Sequence, residues 1–276
     1  MPRRQSSAGF LTGTRVYLSG PMDFVASRAQ EKKAGWRVRV KAFLRSFGAV
    51  VFDPWEKPGV RGFHEYGRED VHSASAREEW TFAPTSVGAR TRARIANSFW
   101  ETMHIDLRMV DISDFIIAYC PTNIFSVGTP HEIIEARRQH KPVLVVSPPV
   151  RFSALAQLEA HLAASGDAEA KRLLDDLTKQ VSVKPNPSGV PSLWYMPLVG
   201  AESFFDGFGF GRYCRRFGWT ASAQDSHERH SPPQRPLLPF LASIDRRLPQ
   251  QWNLEKSKFV RNDDWLLLDI ERENPK

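Results

Sequence analysis

The sequence predicts a doubly wound α/β protein on a parallel sheet of about five strands. Three observations carry this. Strand-like and helix-like segments alternate from residue 15 to about 148, the pattern of strands joined by crossover helices. The strand segments "VVF", "FIIAYC" and "VLVV" are unbroken apolar runs, as strands buried on both faces require. The stretches between them repeat their apolar residues near a helical period.

In order, Arg15 to Leu18 is a β-rich run stopped by Gly20-Pro21, a turn pair. From about Ala26 to Phe47, the residues Ala34, Trp36, Val38, Phe43 and Leu44 mark an amphipathic helix. "GAVVFDPW" is a second strand. Residues 56–91 are rich in Gly, His, Arg and Ser without a sustained period, and read as an insertion loop with a single helical turn. Ile95 to Val110 returns to helix, "DFIIAYC" is a third strand, Pro130 to Gln139 a helix, and "KPVLVVSPP" a fourth strand. Beyond it, residues 149–220 are expected to complete the core. They offer two helices broken at Gly166, a turn at "PNPSG" and a fifth strand at "SLWYMPLVG". Residues 221–276 read as a polar linker, "SAQDSHERHSPPQRP", and a C-terminal extension containing Trp252, Trp265 and "WLLLD", packed on the core or on a second subunit.

Composition narrows the function. At 276 residues with 41% hydrophobic and 25% charged, the chain is an ordinary globular one. No run approaches the roughly 18 apolar residues of a membrane span, and the basic start "MPRRQSSAGFLTGTR" lacks the apolar core of a signal peptide. Cys120 and Cys214 match no zinc or redox spacing, so a reducing, cytoplasmic setting is expected. His64, His72 and His104 have no metal-ligand spacing either, so no metal is expected. The net charge of +7 is dispersed among acids. Nucleic-acid binding is therefore not expected, and a phosphorylated small molecule accounts for the arginines equally well.

Sheets of this kind bind ligands at the carboxyl ends of the strands, where strand order reverses. With the flavodoxin-like order 2-1-3-4-5, that point lies between strands 1 and 3. The segments leaving them are "YLSGPMDF" and "YCPTNIFSVGTPHE". Tyr17, Ser19, Gly20 and Asp23 are thereby brought towards Ser126, Gly128, Thr129 and Glu132.

Glu132 has two readings. Thr129-Pro130-His131-Glu132 has the form of a capping box, with threonine as N-cap, proline at N1 and glutamate at N3. Alternatively, a carboxylate in the positive end of a helix dipole, which favours its ionised form, is a nucleophile for an electrophilic carbon. Chemistry at a sugar C1 needs a second carboxyl group. Asp106, on the helix leading into strand 3, is placed to supply it. Asp111 and Asp114 flank the helix-to-strand turn and read as loop caps.

"VYLSGPMD", "HIDLRMVDISDFIIA" and "SVGTPHEIIEARRQHKPVLVV" together resemble the nucleoside 2-deoxyribosyltransferase family, which includes deoxynucleoside 5′-monophosphate N-glycosidases. The resemblance spans roughly residues 15 to 148. It implies that Glu132 attacks the anomeric carbon, that Asp106 assists base departure or orients the glutamate and base, and that Tyr17 positions the nucleophile. It implies no cofactor, a deoxynucleoside or deoxynucleotide substrate, and a homo-oligomer whose C-terminal residues complete a neighbour's pocket. Trp194 and Met196 are the expected base contacts. Where the transferases carry an aspartate, this chain has Ser126. That departure resembles the monophosphate hydrolases and implies a 5′-phosphate beside a helix N-terminus. The alternative is a non-catalytic nucleotide-binding or signalling module on the same scaffold, since fold does not determine function.

Overall fold

The computed structural model describes residues 11–22, 25, 27–56, 75–180, 186, 192–199, 204–205, 208, 257–262 and 265–270. Its centre is a five-stranded sheet in the order β2-β1-β3-β4-β5, formed by β1 (Arg15–Ser19), β2 (Val50–Phe52), β3 (Phe115–Tyr119), β4 (Val143–Val146) and β5 (Phe204–Phe205). Every pairing is parallel. Tyr17 lies beside Phe52 on one flank and Ile116 on the other, and Ser19 beside Ala118. The flavodoxin-like order expected from the sequence is the one found.

The two-residue period of the strands divides the core into two layers. Val16, Leu18, Phe115, Ile117, Leu144 and Val146 point to one face, where Trp36, Val40, Phe43, Leu44 and Phe47 cover them. Trp36, Val40, Phe43 and Leu44 lie along α2 (Trp36–Arg45) at offsets that make one helical stripe. Tyr17, Ile116, Ala118, Val143 and Val145 point to the other face. There they meet Met109 and Val110 of α3 (Ser86–Asp111) and Ile133 and Ala136 of α4 (Gly128–Arg138). Fully buried side chains of this kind contribute about 1.5–3 kcal/mol each relative to exposure, so this double layer is the main source of rigidity beneath the site.

Several sequence expectations are corrected. The long first helix is two: α1 (Arg28–Ala34) and α2, joined at Gly35 in an extended conformation. A Cβ there would fall 2.4 Å from the Glu31 carbonyl oxygen, so a residue without a side chain makes the break. The helix expected from Ile95 begins at Ser86, inside the stretch read as insertion loop. Thr85 caps it by accepting from the Gly88 amide at 3.1 Å, a cap lacking the glutamate that flags a capping box. "SLWYMPLVG" is not a strand. Leu193–Tyr195 is a 3-10 turn that runs into α7 (Met196–Val199), and the fifth strand lies later, at Phe204–Phe205. Tyr195 and Leu198 pack on the layer under α4, so this segment is held by apolar burial rather than by strand pairing.

The two helices after β4 are α5 (Ser153–Ser165) and α6 (Ala168–Gln180), separated at Gly166, whose φ of 69° ends α5 in the left-handed conformation. In the C-terminal extension, β6 (Ser257–Asn262) and β7 (Trp265–Ile270) form an antiparallel hairpin. Among the described residues no helix is long and apolar enough to cross a membrane.

Candidate active site

Tyr17 and Ser19 are two apart on β1 and therefore face the same side, the side on which α4 lies. Both are fully buried. Glu132, in the second turn of α4, reaches across to them. Tyr17 Oη donates to Glu132 Oε1 at 2.6 Å, and Ser19 Oγ donates to Oε2. Each carboxylate oxygen thus has one fixed hydroxyl donor.

The capping box does not form. Helix α4 starts at Gly128, and its N-cap is Val127, which makes no side-chain cap. Thr129 is inside the helix with its hydroxyl 2.8 Å from Ser126 Oγ, and Ser126 Oγ also accepts from the Thr129 amide at 3.4 Å. The helix starts two residues earlier than the sequence pattern suggests, because Ser126 takes over the local hydrogen bonding. Pro130 is tolerated there because first-turn amides lack helical partners in any case. Glu132 is left free of capping and committed to β1.

Burial is the largest influence on Glu132, pushing its pKa up to about 7, with Asp106 adding to the rise. The hydroxyls of Ser19 and Tyr17 and the charge of Arg37 pull the other way. The ionised form expected from the helix dipole is therefore only part of the population near neutrality, since desolvation outweighs the favourable terms. Tyr17 is held well above the usual phenol range by burial, then by Glu132 and Asp106, so it remains a donor. Asp106, half-buried on α3, acts electrostatically on both partners. Asp114 accepts from the Arg15 amide at 2.7 Å and pairs with the Arg15 guanidinium, and Asp111 accepts from Gln139 at 2.6 Å. Both carboxylates thus serve the helix-to-strand turn.

Beside this centre is a cleft of about 190 Å³ lined by Pro21, Tyr119, Cys120, Ser126, Thr129 and Tyr195, with Thr122, Ile124 and Ser192 at its margin. Among the described residues no charged side chain lines it. Burial pushes the Cys120 thiol and the Tyr195 phenol each up to about 12, so both are neutral walls. Tyr119 stacks on Trp36 at 4.9 Å and on Phe208 at 5.9 Å between ring centres, which stiffens one wall.

The structure brings together Tyr17, Ser19, Asp106 and Glu132, and brings Ser126 and Thr129 to the adjoining cleft. Gly20 closes the end of β1, where an added Cβ would fall 2.7 Å from the Trp36 ring. Gly128 is exposed at the start of α4. Trp194 is 84% exposed and does not line the cleft; its neighbour Tyr195 does. Met196 opens α7, and Asp23 lies outside the described residues. The sequence reading missed Arg37, Tyr119 and Tyr195. Arg37 left a trace: with Lys41 it is a cation pair four residues apart on the apolar stripe of α2, where buried charge requires partners. Among the described residues no cluster of His, Cys, Asp or Glu is arranged to hold a metal ion.

The fold and the site together define a flavodoxin-like α/β protein with a hydroxyl-held carboxylate at the sheet's switch point. No protein-family model matches the chain, and no curated protein matches it. Among solved structures, it is similar to a 2-deoxyribosyltransferase from the psychrotolerant bacterium Bacillus psychrosaccharolyticus, with 20% identity and a TM-score of 0.28 over 50% of this chain and 76% of that one. A likeness of that size carries no argument about this chain.

Proposed function

We propose that the protein cleaves the N-glycosidic bond of 2′-deoxynucleosides or their 5′-monophosphates through a covalent glutamyl-deoxyribose intermediate. The observation that carries this reading is Glu132 itself: a carboxylate at the switch point, held by Tyr17 and Ser19, with a second carboxylate, Asp106, acting on it. A structural carboxylate would be expected to pair with a cation; this one is oriented by two neutral donors. That suits a group whose lone pairs must remain available to an electrophilic carbon.

In the proposed reaction a Glu132 oxygen forms a bond to C1′ as the C1′–N bond breaks. The bond's electron pair leaves with the base, which takes up a proton, aided by Asp106. Water or a second base then attacks C1′, the ester bond breaks, and Glu132 is restored as a carboxylate. The neutral cleft beside Glu132 suits an uncharged base and sugar, and the Ser126 hydroxyl suits a 5′ oxygen or phosphate. A homo-oligomer in the cytoplasm is part of the same proposal.

The test is incubation with deoxynucleosides and their monophosphates, with and without a free acceptor base, read by chromatography. Release of free base supports the reading, and base exchange identifies transfer. Intact substrate in every case, with binding detected calorimetrically, would instead favour the non-catalytic binding module.

A further inference from the structure

Arg37 is the second residue of α2, and its side chain is almost wholly buried beneath the exit of β1. A buried cation is unfavourable unless its donors and its charge are both met. Here both are. Arg37 Nη2 donates to the Gly20 carbonyl at 2.7 Å, Nη1 to the Pro21 carbonyl at 3.2 Å and Nε to the Leu18 carbonyl at 3.4 Å. Asp53 Oδ1 lies 3.8 Å from Nε, and its Oδ2 is 2.9 Å from Lys41 Nζ. The Trp55 amide donates to Asp53 Oδ1 at 3.0 Å, which holds the counter-charge in place. The guanidinium also lies 4.6 Å from the centre of the Trp36 ring.

The three carbonyls bracket Ser19, the residue whose hydroxyl meets Glu132. Beyond Ser19 the chain leaves the sheet, so ladder hydrogen bonds no longer hold it. A planar fork with donors spread along its edge can fasten such a turn at several points at once; an ammonium cannot match that geometry.

We propose that Arg37 is a positioning residue of the Glu132 centre: it clamps the carbonyls of Leu18, Gly20 and Pro21 so that Ser19 meets the carboxylate. The catalytic consequence rests on the reading of Glu132 as nucleophile; the clamp does not.

The surroundings of Glu132 make the loss of the clamp readable. Tyr17 and Ser19 act on it from β1, Asp106 from α3 and Arg37 from α2, while Cys120 at the end of β3 is itself raised by Glu132 and stays neutral. Tyr195, on the turn before α7, is neutral. Burial and Asp106 raise the Glu132 pKa, whereas Arg37 lowers it. Arg37 itself is lowered by burial and supported by Asp53.

The experiment follows the Glu132 side-chain carboxyl by NMR in protein carrying 13C-labelled glutamate, with E132Q used to assign the signal. In R37Q the titration midpoint should rise by about 0.5–1 pH unit. In R37K the midpoint should rise by less than in R37Q, because the charge remains while the Ser19 hydroxyl, which favours the ionised form, is held less firmly. Amide exchange at residues 18–20 should nevertheless quicken by about tenfold or more as the fork is lost. A merely structural Arg37 would lower the melting temperature in both variants and move the midpoint in neither. An unchanged midpoint in folded R37Q overturns the positioning of Glu132 by Arg37, and unchanged exchange in R37K overturns the clamp. Should R37Q fail to fold, R37K still decides the clamp. Neither readout needs turnover, so wild-type protein without glycosidase activity counts against the nucleophile alone.

Discussion

The Tyr17 hydroxyl donates to Glu132 at 2.6 Å across 115 positions of sequence, joining the first strand of the sheet to the helix that follows the third. The bond exists because β1 and β3 are neighbours in the sheet and α4 packs on the face to which Tyr17 points. It takes a glutamate with the sequence signature of a helix cap and commits its carboxylate to β1 instead.

Replacing Glu132 by glutamine keeps the size of the side chain and removes its charge and attacking oxygen. Turnover is expected to fall by about 10³-fold or more, the scale of losing a covalent nucleophile. A 2-fluoro-arabinosyl substrate should leave a sugar adduct on Glu132 in the wild type, located by mass spectrometry. Wild-type turnover by E132Q would sink the assignment.

The same carboxyl makes a prediction for stability. Its folded pKa is raised from the model-peptide value of 4.5 to about 7, so between those values the folded state retains a proton that the unfolded chain has released. Stability therefore falls as pH rises through this window, and the full penalty, at most about 3 kcal/mol, applies above the folded pKa. E132Q should flatten that slope and match or exceed wild-type stability at pH 8. Parallel denaturation curves for the two proteins at pH 5 and pH 8 would refute this.

Activity should rise with pH through about 7 as Glu132 ionises. Tyr17→Phe removes a donor that favours the ionised form, so this acid limb should move to higher pH while stability changes by about 1 kcal/mol. The pH dependence of kcat in both proteins decides it. A Tyr17→Phe profile that falls in height without shifting would mean that the hydroxyl serves the substrate rather than Glu132.

Gly20→Ala tests the packing at the end of β1. Its Cβ would lie 2.7 Å from the Trp36 ring and 3.3 Å from Tyr119 Cβ, so the stack or the turn must move. Overpacking of this kind costs about 1–3 kcal/mol, and tryptophan fluorescence should change with it. A variant with wild-type melting temperature and emission would show that the turn gives way freely.

The Ser126 hydroxyl lies at the cleft and the start of α4, where an anion finds amide donors and the positive end of the helix dipole. A 5′-monophosphate is expected to be preferred over the free nucleoside, and Ser126→Asp should weaken binding of the monophosphate far more than that of the nucleoside. Equal turnover of both substrates by the wild type would remove the preference.

The sequence by itself determined the α/β alternation and the parallel sheet, because apolar runs of strand length separated by helical periods admit few other arrangements; the strand order expected is the common one for such sheets, and the structure has it. It also marked Tyr17, Ser19 and Glu132, since the switch-point rule turns strand order into a location, and Asp106, by its place on the helix leading into the third strand. Local hydrogen-bond competition was not legible. The four residues from Thr129 to Glu132 fit a capping box, but a serine three positions before Thr129 takes the hydroxyl and amide that the box would use. Nor did sequence indicate that "SLWYMPLVG" would coil against α4 while a two-residue strand at Phe204–Phe205 completed the sheet; apolar content alone does not separate a strand from a packed helical turn. Only the tertiary structure decided the state of Glu132 and the placement of Arg37. Burial, two hydroxyls, a second carboxylate and a guanidinium converge there from β1, α2 and α3, and electrostatics acts through distances in space that no spacing along the chain records.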